Sequence, residues 1–164
     1  FWTSPTNYAY IHLILGAGTH FMKKSGCTCI DFRTVANRLT QLYDTRMASS
    51  GLTVTQFSQL NTIQELDKPT LNQLAEAVGL DRSTLGRNVR VLEKMGYVSM
   101  AAGDDARTRV IRVTPAGRAA FKRAVPLWLD VQTRLAEALG AEDQARLDEL
   151  LTNVNDACVA QAVG

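Results

Sequence analysis

Thr70-Leu-Asn-Gln-Leu-Ala-Glu-Ala-Val-Gly79-Leu-Asp81-Arg-Ser-Thr-Leu-Gly-Arg87-Asn-Val-Arg-Val-Leu-Glu-Lys-Met-Gly96 reads as two helices and the turn between them. Thr70 is a hydroxyl cap for a short helix that puts Leu71, Leu74, Ala75 and Val78 on one face. Gly79 stands where that helix must end in a left-handed residue, a conformation that a side chain opposes. Asp81 caps a second helix, residues 82–95, whose Leu85, Val89 and Leu92 face inward, and Gly96 ends it. Two helices joined by a short glycine-containing turn form a helix-turn-helix.

The pattern continues on both sides. Downstream, Tyr97-Val-Ser-Met-Ala101 predicts a short strand and Ala102-Gly-Asp-Asp-Ala106 a turn. Residues 107–113 return as a strand, with Arg109, Ile111 and Val113 alternating against Val110 and Arg112. A hairpin directly after the second helix is a wing. Thr114-Pro115 is an N-cap followed by proline at the first helical position, so a long helix runs to about Leu139, with a possible bend at Pro126. Gly140 breaks it, and residues 142–160 carry a last amphipathic helix through Leu147, Leu150, Leu151 and Val154. Upstream, Ile30, Val35, Leu39, Leu42, Tyr43 and Met47 recur at helical spacing over residues 30–47, stopping near Ser49-Ser50-Gly51. Thr53 caps a helix over residues 54–66, closed by Asp67-Lys68-Pro69. The fold class is mainly α with a small β-wing: a winged helix-turn-helix over residues 53–113, flanked by terminal helices over 30–50 and 115–160 whose apolar stripes need a partner.

The order of elements and the local text together resemble the MarR family (multiple antibiotic resistance regulators). Residues 81–98 resemble that family's recognition helix running into its wing. Asp105-Ala-Arg107-Thr-Arg109, followed by Val113-Thr-Pro-Ala-Gly117, resembles its wing signature and the start of its fifth helix. The resemblance runs from about residue 29 onward. It implies a homodimer with the first and last helices of both protomers intertwined, and a small-molecule or redox input between the dimer region and the DNA-binding lobes.

The charge distribution agrees with a DNA reader, although the formal net charge is only +2. From Arg82 to Arg112 there are seven Lys and Arg against three acids, whereas Glu137 to Asp156 holds six acids and one Arg. A basic middle beside an acidic end marks one face for phosphate and one kept from it. At the tip of the recognition helix stand Arg82, Ser83 and Thr84, with Arg87 and Asn88 one turn later. Ser83, Thr84, Arg87 and Asn88 are the expected base readers, since Arg bridges guanine and Asn bridges adenine in the major groove. Arg82 and Arg90 are expected on phosphates. Arg107 is expected at the wing tip in the minor groove, with Asp105 orienting the wing by pairing with Arg109. A two-fold dimer would meet major grooves roughly 34–36 Å apart on a pseudo-palindrome of about 16–20 base pairs. With about six to eight phosphates neutralised, the log–log salt slope would be about −6.

Two inputs compete. A small aromatic or phenolic acid would sit between the first two helices and the fifth, against Arg38, Tyr43, Gln56, Phe57 and Asn61, which offer a cation and aromatic faces. Trp128 is expected in the dimer core. The alternative is a thiol switch. Cys27 and Cys29 precede the first helix and Cys158 lies near the end of the last, so one of the former would approach Cys158 if the terminal helices meet. A disulfide between residues two apart would be strained.

Other classes fit less well. Both histidines, His12 and His20, lie in residues 1–21, so the rest of the chain has none, and no nucleophile motif, phosphate loop or metal triad is present. No enzyme activity, cofactor or metal is expected. A winged helix used only for protein contacts is the rival binding class, and the arginines on both helix and wing argue against it. Residues 1–21 carry no Lys, Arg, Asp or Glu and differ from the rest, so they are read as vector-derived or upstream sequence. The run Ile11 to Leu15 is too short for a membrane span, and the expected location is the cytoplasm, with reduced thiols.

Overall fold

The computed structural model describes residues 25–103 and 108–162. The reading of residues 1–21, and the wing-tip residues Asp105 and Arg107, lie outside the described residues. The described chain divides into two units, Thr28–Val131 and a second that takes in residues 25–27 and 132–162.

The larger unit begins with α1 (Thr28–Met47), which passes through a single 3₁₀ turn at Ala48–Ser50 to Gly51. Then come α2 (Val54–Glu65), α3 (Leu71–Val78), α4 (Arg82–Lys94), β1 (Val98–Ala102), β2 (Arg109–Val113) and α5 (Pro115–Leu139). The unit boundary falls inside α5, which continues as helix through Pro126. The second unit holds the end of α5 and α6 (Ala141–Ala162).

Local chemistry starts each helix where the sequence places it. Thr53 and Gln56 form a reciprocal capping box at α2, and Thr70 and Gln73 form another at α3. Asp44 of α1 accepts the Val54 N–H at 2.7 Å, which ties the head of α2 to α1. Gly79 is left-handed (φ 65°), with its N–H on the Glu76 carbonyl and the Leu80 N–H on the Ala75 carbonyl, the paired bonds of a Schellman ending. α4 ends the same way: Gly96 N–H reaches Glu93 and Tyr97 N–H reaches Leu92. This corrects the expected start of the first strand. Tyr97 belongs to the helix ending, and the ladder begins at Val98.

The strands pair antiparallel, Val98 opposite Val113 through Ala102 opposite Arg109. The Ile111 N–H also donates to the Pro69 carbonyl at 2.8 Å, so the segment before α3 borders the hairpin as a third extended strip. Leu60, Leu74, Leu85, Leu92 and Ile111 are fully covered and form the core of this lobe. On α1, Ile30, Phe32, Val35 and Leu39 remain exposed, and on α6 so do Leu147, Leu150, Leu151 and Val154.

One core residue is polar. Gln59 of α2 is 2 % exposed, and neither its Nε2 nor its Oε1 has a hydrogen-bond partner among the described residues. A buried amide left unpaired costs about 1–3 kcal/mol. Gln59→Met, of similar length and without polar atoms, is therefore expected to raise the melting temperature in thermal denaturation. A lower melting temperature would show that the amide does have partners.

Candidate nucleic-acid interface

The second helix of the helix-turn-helix is held stiffly at its tip. The Asp81 carboxylate accepts the backbone N–H groups of Ser83 (3.0 Å) and Thr84 (2.9 Å) and the Ser83 hydroxyl (2.7 Å). Hydrogen bonds from Thr84 and Ser83 hold the Asp81 carboxyl well below the usual carboxylate range, so it stays ionised as a cap. Because Ser83 gives its proton to Asp81, it presents lone pairs outward. In this state it suits an amino group on cytosine or adenine and not a base carbonyl.

From that tip the helix sends out one polar ridge. With Leu85, Val89 and Leu92 buried, the opposite side carries Ser83, Arg87, Arg90 and Lys94, all exposed. The Arg87 Nη2 donates to the Thr84 hydroxyl at 3.2 Å, which fixes the direction of its guanidinium. Thr84 and Asn88 stand on the flank of the ridge and are half-buried. Arg82, Ser83, Gly86, Arg87 and Arg90 line an open concavity of about 680 Å³ together with Leu71 of α3. Sequence reading missed Gly86, whose four-residue spacing from Arg82 and Arg90 on one helix was available, and Leu71, which lies on the other helix and has no such local signal. On the wing, Arg109 and Arg112 of β2 are exposed.

The residues expected around an effector are placed less uniformly. Tyr43 and Phe57 are buried, and burial pushes the Tyr43 hydroxyl above its usual pKa. The Phe57 ring stacks on Phe121 at 4.6 Å and on Trp128 at 5.6 Å. Trp128, expected in the dimer core, stacks on Phe57 of its own chain and lies two helical turns beyond Phe121 on the same face of α5. Gln56 is occupied: its Oε1 accepts the Thr53 N–H and its Nε2 reaches the Met95 sulfur. Asn61 donates to Glu65 at 2.8 Å, and Arg38 is exposed. Cys27, Cys29 and Cys158 are all free thiols and all exposed. Among the described residues no helix is long and apolar enough to cross a membrane.

A MarR-family sequence profile matches residues 50–108. An HTH-type transcriptional regulator of Bacillus cereus is 33 % identical over 120 residues, covering 73 % of this chain and 80 % of that protein. The structure of the M. tuberculosis transcriptional regulator MosR in complex with DNA superposes with a TM-score of 0.74 at 40 % identity, covering 82 % of this chain and 97 % of that one. PcaV from Streptomyces coelicolor, solved with its natural ligand, gives a TM-score of 0.65 at 26 % identity over 76 % of this chain and 91 % of its own. The extent of these matches, across the helix-turn-helix, the wing and the flanking helices, establishes that the chain belongs to the MarR family of winged helix-turn-helix transcriptional regulators.

Proposed function

We propose that the protein is a homodimeric, cytoplasmic repressor that places its two α4 helices in adjacent major grooves of a pseudo-palindromic operator and leaves it when a small aromatic or phenolic acid binds. The observation that carries the DNA reading is the exposed ridge of Ser83, Arg87 and Arg90 on a helix capped by Asp81, beside the exposed wing residues Arg109 and Arg112. Dimerisation is supported by the exposed apolar residues of α1 and α6, since exposed stripes of this kind mark interaction surfaces.

For the effector, the support is the stack of Phe57, Phe121 and Trp128, which joins α2, just ahead of the DNA-reading helices, to α5. A flat aromatic acid would compete for such faces, with Tyr43 as a further aromatic face and Arg38 for the carboxylate. To act as an inducer it must bind the DNA-incompetent arrangement more tightly than the competent one. A second reading, a thiol switch, has its own observation: Cys27 and Cys29 are free and exposed at the head of the helix that carries the α1 stripe.

One titration tests all of this. Fluorescence anisotropy on DNA upstream of the protein's own gene, at stepped salt, is run with and without peroxide and a panel of aromatic acids. Steep salt dependence and preference over random duplex are expected, with release by an aromatic acid. Release by peroxide alone selects the thiol reading. In the same assay Arg107→Ala is expected to lose most specific binding while melting as the parent does. Unchanged affinity would remove Arg107 from the wing contact, and absence of any DNA preference would favour a protein-contact module.

A further inference from the structure

Gly86 sits in the middle of α4, where glycine is a poor helix former. Nothing among the described residues calls for it. Its φ lies outside the left-handed region, and a Cβ built there would meet no atom closer than Leu71 Cδ2 at 3.7 Å, an ordinary contact. The reason for a bare backbone at this point therefore lies outside the chain.

Its surroundings say what kind of object that is. Gly86 forms the floor of the open concavity with Leu71, and Arg82, Arg87 and Arg90 border it. Arg82, Gly86 and Arg90 are spaced by four residues, so they stand in one row with about 6 Å of rise between them. Two guanidiniums thus flank the glycine one turn below and one turn above. Neither pairs with a carboxylate among the described residues.

We propose that Gly86 is the seat of a DNA backbone phosphodiester: the phosphate lies between Arg82 and Arg90, and its deoxyribose rests on the Gly86–Leu71 floor. The charge of the rim and the apolar floor match the two halves of that group. A side chain at position 86 would hold the strand off and lengthen both arginine contacts. Arg87, further round the helix, is left to the base edges. The proposal rests on the reading that α4 enters the major groove.

The test is Gly86→Ala, with Gly86→Leu as the larger step, in the intact protein. Melting temperature, operator affinity and random-duplex affinity are measured across a salt series beside the parent. Gly86→Ala is expected to melt at or above the parent temperature. It should bind operator and random duplex alike at least roughly tenfold more weakly, with the salt slope shallower by about two for a dimer losing one phosphate per protomer. Parent-like binding by both variants, or a clearly lowered melting temperature for Gly86→Ala, would overturn the proposal. So would a loss confined to the operator at unchanged slope, which assigns the site to a base edge. A parent that itself binds no duplex would instead defeat the underlying DNA reading, and the parent titration reports that separately.

Discussion

Gly117→Ala is expected to destabilise the DNA-reading lobe by about 3 kcal/mol, the upper end of what overpacking a well-filled site costs. A Cβ at residue 117 would run into the Tyr97 carbonyl oxygen, and would lie 2.9 Å from both the Tyr97 carbonyl carbon and Val113 Cγ1. The obstruction is backbone and cannot swing aside. Nor can α5 back away freely. The Thr114 hydroxyl donates to the Gly96 carbonyl at 2.6 Å and accepts the Gly117 N–H at 3.0 Å, and the Thr114 N–H donates to the Tyr97 carbonyl at 2.9 Å. Moving the helix strains the two Thr114 bonds, to Gly96 and Tyr97, that cross the joint between wing and α5. Alanine's better helix propensity returns only about 0.5–1 kcal/mol, so the clash wins. Gly86→Ala, the same chemical change in another helix with nothing in the way, supplies the control and carries the opposite sign. Thermal denaturation of both variants checks this: a fall of roughly 6–12 °C is expected for Gly117→Ala. If Gly117→Ala melts with the parent, the close approach of α5 to Tyr97 is not a feature of the folded protein.

That joint shows what kind of information the sequence carries openly. Thr114-Pro-Ala-Gly117 reads correctly as the start of a helix because a cap is a local signal, complete within four residues. The same holds for Thr70, Gly79, Asp81 and Gly96, whose predicted roles as caps and helix endings appear in the structure. Why residue 117 must be glycine is not local: the obstacle is the carbonyl of Tyr97, set in place only once the hairpin folds back. Gln59 is similar. Nothing in its neighbours says that its amide will be buried without a partner. The Phe57–Phe121–Trp128 stack joins residues far apart in the chain, so no local signal announces it. Gln56 is a different case. Thr53-x-x-Gln56 is a capping-box spacing, visible in the sequence, and it uses the amide that was expected to face a ligand. The interface lies between these cases. The polar face of α4 follows from its buried face by helical geometry. The concavity beside it needs α3 packed against α4, which places Leu71 next to Gly86.

Arg87→Ala is expected to remove most of the discrimination between operator and random DNA while leaving the fold untouched. Arg87 is exposed, so its removal opens no cavity, and thermal melting should match the parent. Its guanidinium lies on the outward ridge, one turn beyond the helix tip, and the Thr84 hydroxyl holds it in one direction. A planar fork fixed in that way suits the two acceptors of a guanine edge, a contact whose loss costs about 1–3 kcal/mol. In the proposed homodimer the contact occurs in both half-sites, which doubles the loss to about 2–6 kcal/mol, or roughly 30-fold to more than 10⁴-fold in affinity. Random duplex offers no defined guanine, so binding there should fall far less, and the salt slope should barely change because no phosphate is released. This separates Arg87 from its neighbours: Arg82 and Arg90, on phosphates, should weaken both duplexes together and flatten the slope. Arg87→Lys should not restore recognition, because a point charge keeps the attraction to DNA and loses the paired geometry. Anisotropy titrations on the two duplexes decide the matter. Equal losses on operator and random DNA would move Arg87 to the backbone and leave Ser83, Thr84 and Asn88 to read the sequence, and parent-like operator affinity would take it out of the interface.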